Sequence, residues 1–200
     1  MWIGAARTFL RRGDPGTMGA MGTQYGALVH GRRADKDVAS TVEARSLDEG
    51  RIVALIAVQG DLATPSLESV KGALARVTRV TAGAAVTLAT SAPPPPYASG
   101  VGVVLLFEGA VYVATAGGAR CYRERGGVLE ELAAGLHDAR PGDALVAASH
   151  ASLHVGRAFF TTEIQPASDA EFRNDALDAA LESALAPYPT LVAVAAARVH

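Results

Sequence analysis

Residues 110–123, AVYVATAGGARCYR, and residues 142–149, GDALVAAS, decide how this chain folds. The first holds an apolar run, 110–116, that ends at Gly117-Gly118, and the second an apolar run, 144–148, that follows Gly142-Asp143; both suit buried strands. Upstream, residues 100–119 have the length of a membrane span, but Glu108-Gly109 interrupts the run and valine and glycine dominate it. Two strands joined by a tight turn account for it better than a membrane helix. The pattern predicts strands over 101–107, 110–116, 120–124, 127–132 and 143–148, the last entered through Pro141-Gly142-Asp143.

Further upstream, strands are expected over 22–30, 37–45 and 51–59. Residues 52–58, IVALIAV, are wholly apolar, as suits a strand buried on both faces. Thr64-Pro65 offers a helix start, with threonine as cap and proline in the first turn. Leu67, Val70, Leu74 and Val77 recur at helical spacing, which predicts an amphipathic helix over 65–80. A weaker helix is expected over 81–90. Pro93–Pro96 cannot continue it and predicts an extended, exposed connector rather than a ligand for a proline-binding domain. Downstream, 151–165 fits helix or strand equally, 168–185 reads as a helix, and 190–199 as a closing strand. Strands in meanders with helices grouped in sequence imply an α+β fold with antiparallel sheets. Residues 1–21 are expected to form a flexible tail and 22–200 a single domain; Met18 and Met21 are alternative starts.

The chain has 200 residues, half of them hydrophobic, enough for one sizeable core. Eighteen basic against twenty acidic residues give a formal net charge of −2, which supplies no basic stripe for nucleic acid. Met1–Leu10 followed by Arg11-Arg12 does not read as a signal peptide, so no membrane attachment is expected. The single cysteine, Cys121, excludes an internal disulfide, fits a reducing cytoplasmic setting, and falls in a strand as a buried thiol.

Five segments, in order, resemble the motifs of the type 2C (PPM) family of metal-dependent protein serine/threonine phosphatases. Arg32-Arg33-Ala34-Asp35-Lys36-Asp37 is similar to R-x-x-N-E-D, and Gln59-Gly60-Asp61-Leu62-Ala63 to D-G-x-G-G. Gly117-Gly118-Ala119-Arg120 stands for G-D-S-R, Ser149-His150-Ala151 for S-D-G, and Pro187-Tyr188-Pro189-Thr190 for D-N-x-T. The resemblance implies a four-layer αββα sandwich of two antiparallel sheets. It also implies, for an intact member, two manganese or magnesium ions that activate water against a phosphoserine or phosphothreonine. A related group, the phosphatases of anti-sigma-factor antagonists, shares the fold; the match at Arg32–Asp37 favours the main group.

Carried over position by position, the resemblance makes Arg32 the phosphate-binding arginine, with Arg33 beside it, and Asp37 the one remnant metal carboxylate. Lys36 replaces a glutamate. Gln59, Gly118, His150 and Pro187 replace aspartates. Hard divalent ions need oxygen-rich, anionic sites, so this pattern implies a pseudophosphatase without cofactor or catalytic residues. It would act as a regulatory or binding module for a phosphoprotein or a serine/threonine kinase. Two alternatives stand beside it: an active phosphatase with an altered manganese or magnesium site, and a structural subunit of an assembly. Each residue also has an ordinary reading. Arg32 and Arg33 suit a solvated strand end, and Lys36 with Asp37 a surface ion pair. His150 and His154 suit unliganded side chains as well as a rewired metal pair, and Asp61 suits a turn as well as a rescuing ligand.

Overall fold

In the computed structural model the described residues are 23–30, 38–126, 128–149 and 192–199. The strands are β1 (Thr23–His30), β2 (Val38–Leu47), β3 (Gly50–Gln59), β4 (Gly100–Phe107), β5 (Ala110–Gly117), β6 (Arg120–Arg125), β7 (Val128–Glu131), β8 (Gly135–Asp138), β9 (Ala144–Ala148) and β10 (Val192–Val199). Two helices, α1 (Ala63–Leu74) and α2 (Ala82–Thr90), separate β3 from β4. The strands form two antiparallel sheets, ordered β2-β3-β4-β5-β8 and β1-β10-β9-β6-β7.

Alternation along β3 explains the layering. Ile52, Ala54, Ile56 and Val58 face α1 and α2, where they meet Leu67, Val70, Leu74, Ala85 and Leu88. Val53, Leu55 and Ala57 point the other way, to Leu145, Ala147, Ala193, Ala195 and Ala197 of the facing sheet. The apolar run in 52–58 is therefore apolar because both its faces are covered. Each fully buried Leu, Ile or Val contributes about 1.5–3 kcal/mol. The small alanines of β9 and β10 let the sheets approach closely, and Gly100 lies so near Ser149 that an added Cβ would fall 2.6 Å from its carbonyl oxygen. Cys121 is wholly buried between the sheets, where burial pushes its thiol up to about 12.

The sandwich and its antiparallel pairing agree with the expected α+β class, and α1 with α2 supply one helical layer. The segments 1–21, 151–165 and 168–185 lie outside the described residues. Three points of the sequence reading need correction. Helix α1 ends at Leu74, not near 80. Arg45 Nη1 donates to the Leu74 carbonyl at 2.6 Å, and shorter-range bonds such as Arg76 N to Ala73 O close the last turn. Val77, Thr78 and Val80 beyond it are β-branched and poor at prolonging a helix. Thr64 does not cap: the cap position is Leu62, with no side-chain bond, and Thr64 and Pro65 lie inside the first turn. The capping threonine is Thr81, whose Oγ1 accepts from Ala84 N at 3.0 Å and starts α2. β8 is a strand that the sequence pattern did not predict.

At the end where β6 finishes and β9 begins, ion pairs tie the sheets together. Arg125 holds Asp143 through two parallel bonds, Nε to Oδ1 at 2.8 Å and Nη2 to Oδ2 at 2.7 Å. Arg125 Nη1 and Arg140 Nε also donate to Asp138 Oδ2, at 3.1 and 2.8 Å. Arg123 joins Asp138 of β8 to Glu130 of β7. Hydrogen bonds from Arg125, then Arg140, hold the Asp138 carboxyl at about 2 against the opposing effect of burial. Burial, the largest single effect, pushes the Asp143 carboxyl up, but the hydrogen bonds from Arg125 and the Arg140 backbone N–H, with the charges of Arg125 and Arg123, together outweigh it and the net shift is downward.

Candidate functional site

The opposite end of the sandwich gathers those of the singled-out segments that lie among the described residues. Val38, Gln59, Gly100 and Gly117 lie in one row across the first sheet. In the facing sheet, Arg120 and Val194 flank Ala148, and His30 pairs with Val192. Motif segments about sixty residues apart in sequence thus converge through strand register alone.

Gln59 is the last residue of β3, and alternation from Val53, Leu55 and Ala57 puts it on the face between the sheets. It is partly exposed. Its backbone carbonyl accepts from Ser99 N at 2.7 Å, which pins the strand end to the start of β4. Gly60 then turns the chain, and Asp61 N and Leu62 N donate to the carbonyls of Pro96 and Tyr97 at 3.1 and 3.0 Å. The proline-rich connector therefore packs its backbone onto the turn before α1 while Pro94–Tyr97 stay exposed, as a stiff connector should. Asp61 lies in that turn, exposed, as the sequence suggested.

Gly117 closes β5 at φ +61°, where a side chain would overlap the Ser99 carbonyl oxygen. Gly118 N donates to that same oxygen at 3.2 Å. Gly118 is exposed, and nothing lies within 4 Å of a Cβ built on it. The turn has room for the aspartate of the type 2C motif, so glycine here is not forced by packing. Arg120, which ends that motif, is already engaged: Nε lies 3.0 Å from Glu131 Oε1, and Nη1 donates to Ala119 O at 2.8 Å. Ser149 Oγ accepts from Ala193 N at 3.0 Å and joins the ends of β9 and β10.

Of the residues selected from sequence, the structure brings Gln59, Gly60 and Gly118 to one end. Arg32, Arg33, Lys36, Asp37, His150, His154 and Pro187 lie outside the described residues. Ser99 was missed. It bridges Gln59 and Gly118 through its backbone, and backbone bridging leaves no mark in a residue type. A further oxygen, Ser99 Oγ, sits 3.4 Å from the Gln59 carbonyl.

Among the described residues, the donor set at this end is a poor fit to a pair of manganese or magnesium ions. Among these residues, Gln59 offers a neutral amide and Gly118 no side chain, and the carboxylate on the turn after β3 is the exposed Asp61. Among the described residues no three His, Cys, Asp or Glu side chains come together as a metal set. Such ions take anionic oxygen ligands.

No family model and no curated protein matches the sequence. Solved structures do match. The catalytic domain of the serine/threonine protein phosphatase PstP, in complex with two manganese ions, superposes with a TM-score of 0.56 at 15% identity, covering 90% of this chain and 99% of that one. The fold is that of the type 2C phosphatases. The S. agalactiae serine/threonine phosphatase gives 0.58 at 12% identity, over 90% of this chain and 100% of that one. The type 2C phosphatase domain of SpoIIE from Bacillus subtilis, with a fragment of its regulatory domain, gives 0.58 at 10% identity over 90% of this chain; the match spans 64% of that structure. Among the described residues, no helix is long and apolar enough to cross a membrane.

Proposed function

We propose that this type 2C phosphatase fold serves as a regulatory or binding module that has given up metal-dependent hydrolysis and holds a phosphorylated side chain of a partner protein. The observation that carries the reading is Gln59. It ends β3 on the face between the sheets, at the position to which the resemblance assigns the aspartate shared by both metals. An amide there cannot supply the shared negative charge. Gly118 supports the same reading, because its turn leaves space for a carboxylate that the sequence does not provide.

The phosphate-holding groups in this proposal are Arg32 and Arg33, with Lys36 in place of an acidic residue. Residues 31–37 connect His30 to Val38, and both of these lie at the Gln59 end. Guanidinium groups bind phosphate oxygens in pairs. Fewer carboxylates at this end also means less repulsion of an incoming phosphate. The partner class is a phosphoprotein or a serine/threonine kinase, in a reducing, cytoplasmic setting consistent with the unpaired, buried Cys121.

Binding of matched phosphorylated and unphosphorylated peptides tests the reading. The phosphorylated form binds more tightly, the difference shrinks as salt rises, and Arg32→Ala removes it. Equal binding of the two forms across a broad peptide panel would overturn phosphate recognition and favour a structural subunit. Manganese-dependent hydrolysis of an aryl phosphate would instead favour an active phosphatase with an altered site.

A further inference from the structure

We draw no further inference here: the strongest candidate, the exposed apolar patch of Leu62, Tyr97 and the Pro94–Pro96 connector at the rim of the Gln59 end, carries nothing because nothing in the structure shows what covers it.

Discussion

A methyl group at Gly117 would have to occupy the space of the Ser99 carbonyl oxygen, on a backbone at φ +61°. One position later, Gly118 faces open space. The pair gives a sharp contrast. Gly117→Ala should cost about 1–3 kcal/mol or more, because both the backbone conformation and the contact resist it. Gly118→Asp should stay within about 0.5 kcal/mol, as expected for an exposed site away from special features. Thermal unfolding of the two variants checks this: the first loses several degrees in Tm, and the second hardly moves. A large loss for Gly118→Asp would mean that glycine is required there by packing, and that its absent carboxylate says little about function. Ser66 offers a second test at this scale. It is wholly buried on the core face of α1, and its Oγ has no hydrogen-bond partner among the described residues. Ser66→Ala removes a desolvated hydroxyl and adds a better helix former, so it should stabilise by about 0.5–1 kcal/mol. A loss of stability in the same unfolding experiment would mean that the hydroxyl has a partner.

The strands read most easily from sequence were those whose pattern follows from burial. β3 and β4 are covered on both faces, and their apolar runs announce it. β8 was hidden because it is a four-residue edge strand with Leu136 exposed, and only its pairing with β5 makes it a strand. The end of α1 was hidden for a similar reason. Helical spacing continues to Val77, which still packs on the core, but Arg45 takes the Leu74 carbonyl from a residue 29 positions away. Ion pairs between elements are likewise invisible to local pattern. Asp138 on β8 and Asp143 before β9 meet the arginines of β6, and Asp143 is 1% exposed. Both carboxyls titrate lower in the folded chain than the usual unfolded value of about 3.9. Between about pH 4 and pH 2 the unfolded chain therefore binds more protons, so stability falls with pH in that window and is complete above it. Asp138→Asn should flatten the acid limb of a Tm-against-pH curve and leave its shape near neutrality unchanged. An unchanged acid limb would mean that this network does not govern acid sensitivity.

At the scale of the whole molecule, the antiparallel sheets and their core were legible in the apolar runs, and the motif segments among the described residues, 59–63 and 117–120, start at strand ends that register brings together. The site was legible only in part. Gln59 and Gly118 can be found by comparing residue types with a motif, whereas Ser99 acts through its backbone and the engagement of Arg120 by Glu131 is a tertiary event. In the proposed reading, a binding module would differ from a working type 2C phosphatase in the charge it offers metal ions at that end. Calorimetric titration of the full chain with manganese tests this most directly. The account predicts no heat of binding at micromolar metal. Saturable binding of two ions per chain would contradict it, and would return the molecule to the metal-dependent enzymes whose fold it shares.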